Sequence, residues 1–262
     1  MKLRVFASGS KGNCLMAESS GGVRLLVDMG ISYGAAIKRM ATCSVAPASV
    51  DAVLFTHEHS DHIKGAAMFR KKHPLVPFYA NEPTARAMMR SCALDLAPFM
   101  VFTTSSPFDV GDFEILPVAT SHDTLEPVAF LLRDAADGKT LFVGTDTGYA
   151  TPGFRKAFSM ADCAVLEANY EDALLWNSAR SEFLKMRIAS DVGHLSNDDA
   201  AEIVRACASE RLKILLAAHR SQECNEPSLV EKALSRALAE AGLEDVRFSL
   251  LEQDFPSALW VF

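Results

Sequence analysis

The stretch Thr56-His57-Glu58-His59-Ser60-Asp61-His62 concentrates three imidazoles and two carboxylates in one short segment. On an extended backbone, residues two apart point the same way, so His57 and His59 are predicted to bind one ion. Asp61 and His62 follow the expected strand end, where the chain turns, and can face a second ion. The chain has only 7 histidines, so three in this stretch favour a metal site over a polar loop.

The segments on either side of this stretch predict a strand before it and a helix after it. The apolar run at 52–55 has the length and composition of a buried strand. The pattern at 63–72 indicates a helix, and Ser60 is a candidate N-cap for it. The cluster would then lie at the positive end of a helix.

Apolar runs of strand length recur along the chain and alternate with helical patterns. The runs lie at 3–6, 23–27, 52–55, 76–80, 113–118, 128–132, 140–143 and 163–166, and the helical patterns at 33–40, 83–91, 198–209 and 229–241. The second half of the chain repeats the order of the first. This pattern predicts an α/β fold of two sheets covered by helices, a four-layer αββα sandwich, as a single domain over 1–262.

Composition narrows the class of protein. The chain has 262 residues, 49% of them hydrophobic, which suits one large α/β domain. A net charge of −7 argues against a surface coated for general nucleic-acid binding but leaves room for a local basic patch. No apolar signal segment, membrane-length apolar run or CxxC pair occurs in the sequence. We therefore expect a cytoplasmic protein with reduced cysteines that does not enter a membrane.

Several acidic and histidine side chains directly follow apolar runs, where active-site residues of α/β proteins tend to lie. They are Asp28, His122, Asp146, Glu167 and His219. One such residue alone would be read as a turn former or a cap. Five of them predict that several strand ends converge on one edge of the sandwich and form a common site.

The candidate ligands suit divalent transition metals. They are five histidines and two aspartates: His57, His59, Asp61, His62, His122, Asp146 and His219. Imidazole and carboxylate donors without cysteine favour Zn, Mn or Fe. The set exceeds one tetrahedral site and would satisfy two ions, with Asp146 bridging them. Paired ions about 3.5–4 Å apart can hold a bridging hydroxide and the oxygens of an in-line displacement.

These residues resemble the metallo-β-lactamase superfamily, whose HxHxDH motif stands here as His57-x-His59-x-Asp61-His62. The resemblance implies that His57, His59 and His122 hold one metal and that Asp61, His62 and His219 hold the other, with Asp146 between them. It further implies that Asp28 orients a ligand without binding metal itself.

Further motifs, most of them in the second half of the chain, narrow the resemblance from the whole superfamily to its nucleases. Glu167-Ala168-Asn169-Tyr170 and Gly193-His194-Leu195-Ser196 resemble the paired Glu and His elements of tRNase Z-type phosphodiesterases. Ser8-Gly9-Ser10-Lys11-Gly12-Asn13 and Asn225-x-Pro227, taken with them, are similar to the YycJ/WalJ branch. That branch implies a DNA exonuclease of 5′-to-3′ polarity, linked to mismatch repair.

The chemistry of phosphodiesters is consistent with such a Glu–His pair. An alkoxide leaves poorly, so a general acid is typically worth about 10²–10⁴-fold in rate. We expect a metal-bridging hydroxide to attack phosphorus, with Asp61 hydrogen-bonded to it, and His194, held by Glu167, to protonate the departing oxygen. The alternative is that His194 only caps the following helix, although Ser196 can serve as that cap.

Basic residues before His194 are candidates for contacts to the nucleic-acid backbone. Lys185 and Arg187 alternate with apolar residues and are predicted to project to one side, and Arg180 and Ser196 are further candidates. The alternative is a solvated basic face.

Three other functions stay open from the residues alone. The first is a metal-dependent hydrolase of small esters, lactones or thioesters, which would gain less from a dedicated acid. A β-lactamase proper is disfavoured by the missing export signal. A catalytically idle metal-binding or scaffold protein is disfavoured by the complete ligand set.

Overall fold

A computed structural model describes residues 1–92 and 99–262, which form two seven-stranded sheets flanked by helices. The first sheet contains β1 (Lys2–Ala7), β2 (Cys14–Glu18), β3 (Arg24–Val27), β4 (Ala52–Leu54), β5 (Phe78–Asn81), β6 (Phe99–Phe102) and β14 (Trp260–Val261). The second contains β7 (Phe108–Val110), β8 (Phe113–Ala119), β9 (Val128–Asp134), β10 (Thr140–Gly144), β11 (Cys163–Glu167), β12 (Ile214–Ala218) and β13 (Arg247–Leu250).

The outer face of the first sheet is covered by α1 (Tyr33–Thr42), α2 (Ser60–Ile63), α3 (Ala66–Lys72) and α4 (Glu82–Cys92). That of the second sheet is covered by α5 (Pro152–Ser159), α8 (Asn197–Cys207) and α9 (Pro227–Glu240). Two further helices, α6 (Asp172–Asn177) and α7 (Glu182–Ile188), pack with Tyr170 and Cys224 in a small separate cluster. The strand order is β14-β1-β2-β3-β4-β5-β6 in one sheet and β13-β12-β11-β10-β9-β8-β7 in the other. The predicted αββα sandwich is confirmed.

Three apolar clusters lie between the four layers and hold them together. Buried side chains of both sheets, including Leu25 and Phe130, pack together between the sheets. A second cluster joins the outer face of the second sheet, including Phe142, to α5, α8 and α9. A third joins the first sheet to its helices, where Phe55 contacts Phe78 edge-on at 5.1 Å between ring centroids. Each sheet therefore buries both faces, which explains its continuous apolar runs.

The parallel halves of the two sheets place the candidate residues along one edge. Strands β3 to β6 run parallel in the first sheet, and β10 to β13 run parallel in the second. Parallel strands bring their carboxyl ends to the same edge of a sheet. Asp28, Asp146 and His219 follow β3, β10 and β12, and all three adopt positive φ, at 60°, 59° and 51°. Such left-handed conformations are costly for non-glycine residues and concentrate at functional sites.

The region after the histidine stretch differs from its sequence prediction. Ser60 is the first residue of α2 and not its N-cap, because His59 holds the N-cap position without a side-chain cap. The expected helix over 63–72 is divided into α2 and α3. The break lies at Gly65, whose N–H donates to the carbonyl of Met29 and not to the preceding helical turn.

The backbone of Asp61 is held by close contact with two other loops. Its carbonyl accepts a hydrogen bond from Asn13 N at 2.8 Å, and Asn13 in turn accepts one from Gly30 N at 2.7 Å. A Cβ at Gly30 would overlap the carbonyl oxygen of Asp61. Glycine at position 30 therefore allows the loop after β3 to support the metal-binding stretch.

We expect Gly30→Ala to lower the free energy of unfolding by about 1–3 kcal/mol or more, because backbone atoms on both sides must move. Gly34→Ala is the matched control, since a Cβ there meets nothing within 4 Å and Gly34 lies in α1. The control should stabilise the protein by roughly 0.5–1 kcal/mol through helix propensity. Urea denaturation measures both, and equal effects would show that Gly30 has no special role.

Candidate metal centre

Three histidines from both sheets form one group of ligand atoms. His57 and His59 follow β4, and His122 follows β8. His122 Nε2 lies 3.2 Å from His59 Nδ1, and the His57 ring centroid lies 4.9 Å from that of His59. All three offer ligand atoms within 4.8 Å of one another. The main-chain bond Val128 N to Thr56 O, 3.1 Å, joins the two sheets at this point.

Asp61, His62, Asp146 and His219 form a second, more acidic group beside the first. Asp146 Oδ2 lies 3.2 Å from His62 Nε2, and Asp146 Oδ1 lies 3.4 Å from His219 Nε2 and 3.8 Å from His122 Nε2. Asp146 is thus the residue that lies between the two groups. Asp61 completes the second group, with Oδ2 at 3.5 Å from His219 Nε2.

Hydrogen bonds behind the histidines direct particular nitrogens into the site. Asp28 Oδ2 lies 2.7 Å from His62 Nδ1, and Asp28 also accepts from Thr56 N at 2.9 Å. His122 Nδ1 lies 2.9 Å from the carbonyl of Gly193. When Nδ1 donates in this way, the imidazole presents the lone pair of Nε2 to an ion.

Glu167 contacts two imidazoles through a single oxygen. Its Oε1 lies 2.7 Å from His194 Nδ1 and 3.0 Å from His219 Nδ1. The parallel register pairs Glu167 of β11 with Ala218 of β12, which brings the carboxylate beside His219. Glu167 is fully buried and His194 is partly exposed to the pocket. The carboxylate therefore orients one member of the second group and one residue outside it.

The donor set fits bound divalent cations. His57 Nε2 is buried and has no hydrogen-bond partner among the described residues. Asp146 Oδ2 and His219 Nε2 are also buried, and their polar neighbours within the groups are other candidate ligand atoms. Buried groups of this kind are normally paired. Burial opposes a charge on His219, but Asp146, Asp61 and Glu167 outweigh it and raise the pKa of His219 to about 10. The carboxylates thus favour positive charge at this place, which divalent ions would supply.

A polar pocket opens above the two groups. Its walls include Ser10, Arg180, Leu184, Arg187 and Ser221, with His194 and Asp61 at the base. The Nε of Arg187 bonds to Asp123 Oδ2 at 2.5 Å, and Arg180 pairs with Glu223 at 3.0 Å. The pocket therefore combines the ligand cluster with two cations on one wall.

Two of the predicted substrate contacts, Lys185 and Ser196, do not line the pocket. Lys185 and Arg187 do not project to one side, because residues 182–188 form the helix α7. Lys185 is buried, and its ammonium donates to the carbonyl of Trp176 at 2.9 Å and to Glu182 at 2.9 Å. The Ser196 hydroxyl caps α8 in a capping box with Asp199. The other two predicted contacts, Arg180 and Arg187, do line the pocket.

Several residues that were not predicted from the sequence also support the site. Asn13 Nδ2 lies 3.1 Å from His62 Nε2, and Asn169 Nδ2 donates to the carbonyl of His219 at 2.7 Å. Asp123 Oδ1 lies 3.6 Å from His122 Nε2. Asp123 could have been found, because it directly follows a predicted ligand. The two asparagines carry no periodic signal, and only the folded chain reveals their partners.

In the part of the chain that the structure describes, every helix is too short or too polar to cross a bilayer.

Comparison with known proteins places the chain among metallo-β-lactamase-fold proteins. The family model for the beta-lactamase superfamily domain matches residues 23–216. The exodeoxyribonuclease WalJ of Streptococcus pneumoniae is 36% identical over 245 residues, which cover 92% of this chain and 90% of that protein. The exodeoxyribonuclease YycJ of Bacillus anthracis is 33% identical over 239 residues, covering 91% and 89%.

Solved structures share the fold at low identity. The metallo-beta-lactamase fold protein YhfI of Bacillus subtilis matches with a TM-score of 0.71 at 18% identity, over 98% of this chain and 99% of that one. Zn(2+)-bound PqqB of Methylobacterium extorquens matches with a TM-score of 0.72 at 14% identity, over 98% and 100%. The chain therefore belongs to the beta-lactamase superfamily, and within it to the family of WalJ and YycJ.

Proposed function

We propose that this protein is a metal-dependent DNA exonuclease that degrades its substrate in the 5′-to-3′ direction. The observation that carries the proposal is the Glu167–His194 pair, which lies directly beside the two ligand groups. The similarity over more than nine tenths of the chain to proteins named exodeoxyribonucleases supports DNA as the substrate. The polarity rests on the resemblance of its motifs to those of the same branch.

The proposal includes two ions, one at each ligand group. His57, His59 and His122 would hold one, Asp61, His62 and His219 the other, with Asp146 between them. The donors suit Zn, Mn or Fe. When bound, such ions supply Lewis acidity to the phosphodiester and lower the pKa of the attacking water.

The chain's own residues provide orientation and proton transfer. Asp61 is the most exposed carboxylate of the second group and is placed to hydrogen-bond the attacking water. In the imidazolium form of His194, Nδ1 donates a hydrogen bond to Glu167 and the N–H of Nε2 transfers its proton to the departing oxygen, which leaves a neutral imidazole. Arg187 and Arg180 would position the backbone phosphates, and Lys185 would not, because its ammonium is engaged by the protein.

Metal content tests the ligand assignment. After reconstitution with Zn or Mn and removal of excess ion, we expect about two equivalents per chain. Asp146→Ala should retain less than half of this amount, because it removes the residue shared by both groups. His73→Ala is the matched control, since that histidine lies at the end of α3 against Tyr33 and Phe69. A variant at Asp146 that loads as fully as the His73 variant would contradict the assignment.

His194→Ala tests the general acid. It should retain its metal but lose roughly 10²–10⁴-fold in turnover on DNA, whose alkoxide leaving group needs a proton. On bis(p-nitrophenyl) phosphate the loss should be far smaller, because nitrophenolate leaves without protonation. Equal losses on the two substrates would remove His194 from this role.

Degradation of end-labelled substrates tests the function itself. Single- and double-stranded DNA and RNA, labelled at either end, are supplied with Mn or Zn, beside a screen of esters, lactones and thioesters. A 5′ label on DNA should be released early in short products, while a 3′ label should persist on progressively shorter strands. Early release of the 3′ label would reverse the polarity. Hydrolysis of the small substrates alone would replace the proposal with the ester, lactone or thioester hydrolase.

A further inference from the structure

Helix α7, which contributes three residues to the pocket wall, also presents two large apolar side chains to solvent. Phe183 is 80% exposed and Met186 66%, although the rest of the helix is held to the protein. Ser181 caps the helix by accepting from Leu184 N at 3.3 Å, and Ile188 is buried at its other end. A rigidly held helix that leaves an aromatic ring in water suggests a binding surface.

Phe183 lies next to the side of α7 that lines the pocket, and Met186 lies farther round the helix. Residues four apart on a helix share a face, so Phe183 lies on the same side as Arg187. Arg187 also lines the pocket, beside Leu184 and Ile188 of the same helix. A strand of nucleic acid whose phosphate lies at the ligand groups would therefore pass along α7.

The charges beside the apolar surface suit a polyanion. Asp123 bonds the Nε of Arg187, while the two Nη atoms of Arg187 have no partner among the residues that the structure describes. Arg180, on the same wall, pairs with Glu223, whose side chain is exposed. Aromatic rings combined with backbone-directed cations are the usual means of binding single-stranded nucleic acids.

We propose that Phe183 and Met186 of α7 form a stacking surface for unpaired bases of the substrate strand. The inference rests on the proposed function and narrows its substrate to single-stranded DNA or frayed ends. In a duplex the base faces are stacked on one another, so this surface would gain contacts only with bases that have left the helix.

A second copy of this chain fits the surface less well. Two exposed side chains are far from the roughly 800 Å² per partner that a stable protein interface buries. The position of Phe183, one helical turn from the pocket-lining Arg187, also favours the substrate as occupant. Self-association is therefore an outcome that the experiment must detect.

The test measures binding of a fluorescein-labelled, phosphorothioate-linked oligothymidylate to the metal-loaded protein by anisotropy, since this linkage slows cleavage. Phe183→Leu keeps the apolar character but removes the ring, and it should weaken binding about tenfold. Phe183→Trp should restore wild-type affinity or improve it. Leu75→Ala, at a residue that is 94% exposed and outside the pocket wall, should change nothing.

A second measurement reports on the same surface without catalysis. Trp176 is 46% exposed at the end of α6, where its carbonyl accepts from Lys185 of α7. Tryptophan fluorescence should therefore be quenched by the oligothymidylate, and Trp176→Phe should abolish most of this change.

Each outcome separates this inference from the proposed function. If the wild type degrades DNA but Phe183→Leu binds as well as the wild type, the stacking surface is wrong and the nuclease assignment stands. Equal weakening by Leu and Trp at position 183 would also reject stacking. Light scattering could instead show a dimeric wild type and a monomeric Phe183→Leu variant with the same affinity for the oligothymidylate. That result would assign the surface to self-association. A wild type that neither binds nor degrades any nucleic acid overturns both proposals.

Discussion

The site depends on keeping buried carboxylates and imidazole lone pairs close together in a low-dielectric interior. Asp146 is almost completely buried and lies within 3.8 Å of nitrogens on His62, His122 and His219. An isolated buried carboxylate costs several kcal/mol, and the unpaired lone pairs add to this cost. Divalent ions compensate both at once. The rest of the fold holds these side chains close enough together for a divalent ion to contact them.

Backbone conformation adds a further energetic cost at the site. Asp28, Asp146 and His219 each leave a strand with positive φ, which turns the side chain back over the sheet edge. Left-handed conformations of this kind cost roughly 1–3 kcal/mol each and persist only where the surroundings enforce them. Here the enforcement comes from the sheet hydrogen bonds before each residue and from contacts such as His219 N to Ser8 Oγ, 2.8 Å. Binding sites built on strand ends are thus more precise than sites built on free loops.

The candidate ligands could be chosen from the sequence because their signals are local. The spacing of His57, His59, Asp61 and His62 is visible in one stretch, and strand-end residues follow apolar runs. Their convergence could be expected because parallel strands end at one edge. The pairing of Glu167 with His194 was expected from the resemblance. The second contact of Glu167, with His219, could not be derived, since it depends on the register of β11 against β12.

The error at α7 has a different physical origin. Lys185 and Arg187 alternate with apolar residues, which is compatible with a strand, yet the segment is helical. Ser181 and Glu182 were available as signs of a helix start, since a serine N-cap and an acidic first turn favour that end. In seven residues the periods of 2 and 3.6 are hard to separate. Without the helix, the exposed position of Phe183 could not be predicted.

One ligand group draws its histidines from both sheets, with His57 and His59 on one and His122 on the other. An ion held there would act as a non-covalent cross-link, in addition to the apolar packing and the hydrogen bonds that join the two layers at this edge. By mass action, such an ion shifts the folding equilibrium in proportion to the logarithm of its free concentration. Cellular metal supply would then set how much of the protein escapes proteolysis as well as how much is active, so abundance and activity would fall together under metal starvation.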